Sequence, residues 1–184
     1  MSEAYLPTDE ADRELIDRWK RGDSAAATAI VSRHSDALAR FAVNLGERND
    51  IEELVQDTFV RAFGSLHSFR GDSALRTWLF TIERHLVLDR RRAARRAPDV
   101  VEVTDSSAAT EFTALDSMVA AEAEQQVREA IGRLSPTQRE VFTLRVSEGL
   151  SYKEIARIVG STEGAARVHY HNAMRAVKEF LSDE

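Results

Sequence analysis

Apolar residues recur at three- and four-residue spacing through most of this chain, which is the pattern of amphipathic helices. The pattern is clearest after Asp50, where one stripe would contain Ile51, Leu54, Val55, Phe59, Ala62 and Phe63. Only three prolines and eight glycines occur among 184 residues, which argues against a loop-rich or all-β fold. Alanine, arginine, glutamate and leucine dominate the composition, and all four favour helices. The sequence therefore predicts an all-α protein.

A change in composition divides the chain into two small helical domains. Residues 98–118 are acidic, rich in Ser and Thr and weakly periodic, which is typical of a flexible linker. A short strand at 100–103 is the alternative for part of this segment. On either side we predict a first domain over residues 12–97 and a second over 119–184. In the first domain, Gly22 and Asp23 separate the first two helices, and Asp50 is expected to cap a third.

The second domain has the pattern of a helix-turn-helix. The segments SPTQ at 135–138 and SYKE at 151–154 are both capping boxes, and the first places Pro at the first helical position. A short helix then ends at Gly160, and a longer one follows from about Thr162. Two helices around a tight turn, the second with polar groups at its start, are typical of DNA reading in the major groove. A helical hairpin without a DNA role is the alternative.

Positive charge is concentrated in one stretch of an otherwise acidic protein. The whole chain has a net charge of −6, whereas residues 61–98 have nine arginines against three acidic residues, a net charge of +6. Phe69, Trp78 and Phe80 lie among these charges. A basic helix with interleaved aromatic residues suits a polyanion that also offers bases for stacking, which means opened nucleic acid. Aromatic residues at helical spacing are also common in cores, so the role of Trp78 stays open.

The chain lacks the residues that several other classes of function would need. The chain has no cysteine, which excludes a disulfide, a thiolate metal site and a cysteine nucleophile. No apolar run approaches the roughly 20 residues of a membrane span, and the N-terminus has no signal-peptide pattern, so a cytoplasmic location without membrane insertion is expected. His169 and His171 would diverge by about 200° on a helix, which argues against a metal site. Neither an enzyme activity nor a cofactor is expected.

Three blocks together resemble the extracytoplasmic-function (ECF, group IV) sigma factors of bacterial RNA polymerase. The blocks are DIEELVQDTFVRAF, FRGDSALRTWLFTIERHLVLDRRR and LSPTQREVFTLRVSEGLSYKEIARIVGSTEGAARV. Their order and spacing match the two helical domains of that family, sigma-2 and sigma-4. The resemblance implies binding to core RNA polymerase, recognition of the −35 and −10 promoter elements, and promoter opening.

The resemblance places the polymerase-binding residues on the helix at 50–63. An acidic face there would meet the clamp helices of the β′ subunit, and the residues implied are Asp50, Glu53, Gln56 and Asp57. The second domain would contact the β flap. A solvated helix face without a partner is the alternative.

The loop at 65–74 and the helix after it resemble the element that recognises and melts the −10 region. The residues implied are Phe69, Arg70, Trp78, Phe80, Arg84, His85 and Arg91. Phe69 would line a pocket for a flipped base, and Trp78 and His85 would share a face. Phe80, Arg84 and Arg91 would share another face that suits phosphate contact. His85 stands where relatives commonly have Asn, which changes the hydrogen-bonding groups offered to a base.

The second helix of the helix-turn-helix would read the −35 element as a duplex. The outward residues are Thr162, Glu163, Arg167, Val168, His171 and Arg175. Arg167 suits a guanine edge or a phosphate, and Val168 suits a thymine methyl group. Relatives often have Ser or Arg where this chain has Val168, His169, Asn172 and Met174. Weak binding to isolated DNA is therefore expected.

A stand-alone helix-turn-helix regulator is the competing function. Such a protein would need neither the acidic helix nor the basic aromatic helix of the first domain. By the resemblance, an anti-sigma factor would hold the protein inactive, and control by phosphorylation is the alternative.

Overall fold

The computed structural model describes residues 7–96 and 125–182. The helices in chain order are α1 (Pro7–Lys20), α2 (Ser24–Asn44), α3 (Ile51–Ser65), a short 3-10 helix (Leu66–Ser68), α4 (Leu75–Arg96), α5 (125–132), α6 (Pro136–Val146), α7 (Tyr152–Val159) and α8 (Glu163–Ser182). The prediction of an all-α fold is confirmed for these residues. The predicted linker at 98–118 and the alternative strand at 100–103 lie outside the described residues.

Three of the four side-chain caps predicted from the sequence are present in the structure. The side chain of Asp23 accepts a hydrogen bond from the amide of Ala25 at the start of α2. Both predicted capping boxes are confirmed, at Ser135 before α6 and at Ser151 before α7. The predicted side-chain cap by Asp50 is wrong, because Asp50 adopts a left-handed conformation with φ 56° and makes no capping hydrogen bond. An N-cap side chain reaches the first helical amides from extended backbone geometry, which Asp50 does not have.

The four helices α1 to α4 pack as a bundle around large apolar side chains. Leu38 and Phe41 of α2 meet Leu79 and Phe80 of α4 in one buried cluster. The rings of Phe41 and Phe80 make an edge contact with centroids 4.9 Å apart. Complete burial of side chains of this size contributes about 1.5–3 kcal/mol each. This packing fixes which side of α4 faces the solvent.

The helices α5 to α8 form the second unit. Leu134, Phe142, Ala173 and Val177 fill its own small core between α6 and α8. The turn between α7 and α8 depends on Gly160, whose φ of 69° favours glycine. The predicted helix-turn-helix is therefore present, with α8 as its second helix.

The two units lie against each other through α4 with α7 and α2 with α6. Their contact is apolar at the centre: Leu144 and Ile155 of the second unit belong to the same buried cluster as Phe41 and Phe80. Charged side chains accompany this apolar contact and are described with the site below. The described residues therefore form one continuous packed body.

Candidate polymerase and nucleic-acid interfaces

The outer face of α3 presents the residues predicted to bind polymerase. Glu53 and Gln56 are exposed, and Asp57 is partly exposed. Arg90 of α4 lies 3.0 Å from the Asp57 carboxylate and 3.7 Å from that of Glu53. This pairing orients two carboxylates on the surface without burying them. The face is therefore acidic, held in place from α4, and open to a basic partner.

Sequence reasoning missed Val60 on this same face. Its side chain is 71% exposed, the most exposed of the large hydrophobic residues in the described part of the chain. It lies one helical turn beyond Gln56 and Asp57, so an exposed apolar residue borders the acidic face at its C-terminal end. Its spacing from Glu53 and Asp57 already places Val60 outside the predicted apolar stripe, so helical periodicity alone could have found it.

Phe69 and Trp78 lie together beside the loop that precedes α4. Their ring centroids are 5.0 Å apart with the planes tilted by 44°, and both are half-buried. Trp78 also packs against the main core cluster, so it has a structural role and an exposed edge. His85, two turns further along α4, is exposed.

Helix α1 contributes to the same region, which the sequence did not indicate. A depression of about 370 Å³ is lined by Phe69 and Arg70 from the loop and by Arg13 and Lys20 from α1. The Lys20 ammonium group donates to the backbone carbonyl of Phe69 at 3.4 Å. An aromatic ring among cations suits a nucleotide, with its base on the ring and its phosphate on the cations, and Asp17 adds one opposing charge to the same lining. Only the tertiary structure brings α1 to the loop.

Phe80 does not lie on the surface, and its predicted place on a phosphate-contacting face is wrong. Its side chain is 1% exposed and packs against Phe41 in the core. The helical spacing of Phe80, Arg84 and Arg91 allowed a shared face. In the structure, the Phe80 side of that face packs against α2 instead of facing the solvent.

The two arginines of that face already have protein partners. Arg84 donates to the carboxylate of Glu140 in α6. Arg91 donates to the backbone carbonyl of Leu45 and lies 3.4 Å from the carboxylate of Glu47. In this arrangement neither guanidinium group is available to DNA without exchanging a partner.

Glu83 is the one acidic residue of α4 that is completely buried. Neither of its carboxylate oxygens has a hydrogen-bond partner. Burial raises the pKa of Glu83 to about 9, because the charged form would lose its hydration without a compensating contact. Glu83 is therefore neutral at pH 7, and the outer surface of α4 is more basic than a count of charges suggests.

The residues predicted to read duplex DNA lie on the outward side of α8. All six are exposed: Thr162, Glu163, Arg167, Val168, His171 and Arg175. The Thr162 hydroxyl accepts from the amide of Ala165, and Arg167 lies 3.1 Å from Glu163 and above the ring of Tyr152. Val168 is 58% exposed. The exposed surface at the start of α8 is therefore polar, and Val168 is its one apolar residue among the six.

Two family models match this chain in the same order as its two units. The model of Sigma-70 region 2 matches residues 30–97, and that of Sigma-70 region 4 matches residues 124–177. The ECF RNA polymerase sigma-E factor of Haemophilus influenzae is 31% identical over 176 residues, which cover 91% of this chain and 93% of the relative. That of Escherichia coli K12 is 31% identical over 90% of this chain and 92% of its own. The chain belongs to the ECF sigma factors.

Solved structures of related sigma factors have the same fold. CnrH, in complex with the cytosolic domain of CnrY, superposes with a TM-score of 0.67 at 28% identity, over 95% of this chain and 99% of CnrH. RpoE of Bartonella quintana, in complex with the anti-sigma factor NepR, superposes with a TM-score of 0.68 at 28% identity, over 84% of this chain and 96% of RpoE. Both were solved with a bound protein partner.

In this ECF sigma factor, region 2 begins within α2 and ends just after α4, so α1 precedes the matched region. Region 4 begins at α5 and ends within α8. The acidic face of α3 and the Phe69–Trp78 pair both lie in region 2, and the reading face of α8 lies in region 4. No helix in 7–96 or 125–182 is long and apolar enough to cross a membrane, and these residues contain no group of three or more potential metal ligands.

Proposed function

We propose that this sigma factor recruits core RNA polymerase to promoters through separate binding surfaces on three helices. The acidic face of α3 binds the clamp helices of the β′ subunit. Helix α4 and the loop before it bind and open the −10 element, and α8 reads the −35 element in the major groove. The observation that supports this best is the presence of all three surfaces, separately oriented, in one chain of the sigma family.

The −10 function rests on the aromatic pair and the surrounding cations. Flipping a base out of the duplex costs a few kcal/mol, and stacking on an aromatic ring returns about 1–3 kcal/mol per base. Phe69 provides the ring, while Arg70, Arg13 and Lys20 line the same depression. His85 is exposed on the same side of α4 as Trp78 and offers one donor or acceptor to a base edge.

The −35 function rests on a reading face with few cations. Arg167 and Arg175 supply positive charge, but each also lies beside a glutamate, at 3.1 Å from Glu163 and 4.0 Å from Glu179. Because phosphate neutralisation dominates DNA affinity, region 4 alone binds DNA weakly. Tight promoter binding then needs the polymerase, which distinguishes this function from that of a stand-alone regulator.

The subunit performs no chemical reaction itself and works in the cytoplasm, where polymerase and chromosome are found. Related sigma factors have been solved with NepR, named as an anti-sigma factor, and with the cytosolic domain of CnrY. We infer that an anti-sigma factor also controls this protein. Its contact surface would overlap the polymerase-binding and DNA-binding faces.

Reconstituted transcription tests the proposed function. The purified protein is mixed with bacterial core RNA polymerase and a library of genomic promoter fragments, and the RNA 5′ ends are mapped. We expect start sites that depend on the added protein and share −35 and −10 motifs. Mobility shifts on the selected promoters should show tight binding only with core enzyme. Tight operator-like binding by the protein alone, with no protein-dependent transcript, would establish a stand-alone regulator instead.

A further inference from the structure

Helix α1 precedes the part of the chain that matches region 2, but it packs firmly against that region. The match covers residues 30–97, whereas α1 ends at Lys20. Leu15 and Ile16 of α1 are buried in the main apolar cluster, together with side chains of α2 and α4. Because a buried apolar stripe fixes the rotation of a helix about its axis, the polar side of α1 has a defined place on the surface of region 2.

Two side-chain contacts anchor α1 in addition to this apolar packing. The Asp12 carboxylate lies 3.1 Å from the Nε2 atom of His34 in α2, and both side chains are buried. Toward the end of α1, the ring of Trp19 contacts that of Phe63 in α3, with centroids 5.8 Å apart. Helix α1 is therefore attached to α2 near its middle and to α3 near its end, which holds the side chains between these contacts in place.

The side of α1 that faces the loop before α4 is positively charged. Arg13, Asp17 and Lys20 line the same depression as Phe69 and Arg70. Three cations and one carboxylate give this lining a net charge of +2. A positive depression beside an aromatic ring attracts the phosphate of a nucleotide whose base stacks on the ring.

Lys20 connects α1 directly to this loop. Its ammonium group donates to the backbone carbonyl of Phe69 at 3.4 Å. The ring of the same Phe69 lies 5.0 Å from that of Trp78, so the hydrogen bond acts on the residue that presents the stacking surface. An ammonium group has three N–H donors, and Lys20 can therefore hold this carbonyl and bind a phosphate oxygen at the same time.

We propose that α1 is part of the −10 site: Lys20 positions Phe69 and, together with Arg13, binds the phosphate of the nucleotide whose base stacks on the Phe69 ring. The inference rests on the proposed function, in which Phe69 receives a base of the opened strand. It adds a helix that the match to region 2 does not include. The contact made by α1 is to the DNA backbone, so it strengthens binding without selecting a base.

The first test compares two cations that are neighbours in the sequence. Lys20→Met removes a charge from the lining of the depression, and Arg21→Met removes the next charge along the chain, which is exposed and outside that lining. Holoenzyme made with each variant is titrated onto a promoter selected in the transcription experiment, and heparin-resistant open complexes are measured. We expect Lys20→Met to need about tenfold more holoenzyme for half-maximal complex. Arg21→Met should stay within about twofold of the parent protein.

Two further substitutions test the sign of the effect. Asp17→Asn removes the opposing charge from the lining and should strengthen open-complex formation. Lys20→Arg keeps a cation that can donate to both the carbonyl and a phosphate, and it should retain most of the parental activity.

The second test asks whether α1 contacts a phosphate directly. In the non-template strand of the selected promoter, one phosphate of the −10 region at a time is replaced by an uncharged methylphosphonate. At one position the parent holoenzyme should lose about tenfold in open-complex formation. At that same position, holoenzyme with Arg13→Met/Lys20→Met should lose little more, because its phosphate contact is already absent. A purely structural role for α1 predicts instead that each methylphosphonate weakens the parent protein and the double variant by the same factor.

The outcomes separate the role of α1 from the proposed function. Arg13 and Lys20 are exposed, so the double variant should unfold at the parental temperature. Equal losses in Lys20→Met and Arg21→Met would overturn the inference, as would equal sensitivity of the parent protein and the double variant at every phosphate. If the parent protein transcribes and Lys20→Met opens the promoter equally well, only the role of α1 is refuted. If the parent protein gives no protein-dependent transcript with core enzyme, the proposed function itself is refuted.

Discussion

At the scale of single residues, the most unusual position is Glu83 in the middle of α4. Its carboxyl group has no hydrogen-bond partner and no exposure, and its pKa is raised to about 9 by burial. The neutral acid is compatible with the core, whereas the carboxylate is not. The residue therefore links the stability of region 2 to pH.

The sign of this linkage follows from the direction of the pKa shift. The folded-state pKa of about 9 lies above the ordinary value of 4.5, so folding favours the protonated form. The contribution to stability is complete below pH 4.5 and is lost progressively as the pH rises toward 9. The expected loss is at most about 1.4 kcal/mol per pH unit in this window.

Glu83→Gln should remove this pH dependence, since the amide does not ionise. Between pH 5.5 and pH 7.5, the free energy of urea unfolding should fall by about 2–3 kcal/mol more in the parent protein than in the variant. Glu129→Gln, at an exposed position, is the control and should retain the parental slope. Parallel pH profiles for the parent protein and Glu83→Gln would show that Glu83 is not the titrating group.

At the scale of elements, α3 has one surface that packs into the bundle and one that faces the solvent. Leu54, Val55 and Phe59 are buried toward the bundle, while Glu53 and Gln56 face outward. Val60 lies on the outward surface and contributes nothing to the core. An exposed apolar residue beside oriented carboxylates is a combination found in protein interfaces, which join hydrophobic and polar contacts.

Val60→Asp should weaken binding to core polymerase without unfolding the protein. The new carboxylate would be desolvated in the contact, and we expect the Kd for core enzyme to rise about 10- to 100-fold. Because Val60 is exposed, the thermal midpoint should change little. Val168→Asp places the same substitution on α8 and should leave core binding unchanged when no DNA is present. Parental affinity in Val60→Asp would exclude this face from the polymerase contact.

At the scale of the whole molecule, one core cluster runs through both regions. Leu144 and Ile155 of region 4 share it with Phe41 and Phe80 of region 2. Two units that share buried apolar surface unfold together as long as their contact holds. The stability of each region is therefore tied to this shared apolar contact and to the ion pairs beside it, in which Glu140 and Glu148 of region 4 pair with Arg84 and Arg76 of α4.

Scanning calorimetry should show this coupling as a single unfolding transition in the parent protein. In Glu140→Gln/Glu148→Gln the contact is weaker, and we expect two transitions, the first at a lower temperature than the parental one. Glu129→Gln/Glu179→Gln should retain the single transition. Two separate transitions in the parent protein itself would contradict the shared core.

Much of this protein is determined by local sequence. Helix positions, the capping boxes at Ser135 and Ser151, and the turn at Gly160 follow from spacing and side-chain chemistry within a few residues. The family follows from the order of three sequence blocks, and the family models confirm it. The outward position of Arg167 and its neighbours on α8 was also predictable, because a helix-turn-helix fixes which side of its second helix is free.

The tertiary structure decided which face of each helix meets which neighbour. Helical periodicity places residues on a common stripe, but it does not say whether another helix covers that stripe. Phe80 is an example, because Phe41 of α2 covers it. The depression beside α1 brings Lys20 to Phe69, which lies 49 positions further along the chain. Arg84 meets Glu140 over a separation of 56 positions. Such partners are chosen by the packing of whole helices, which no local pattern contains. The sequence by itself therefore determined the helices and the family, and the packing determined which of their charges face solvent and which face each other.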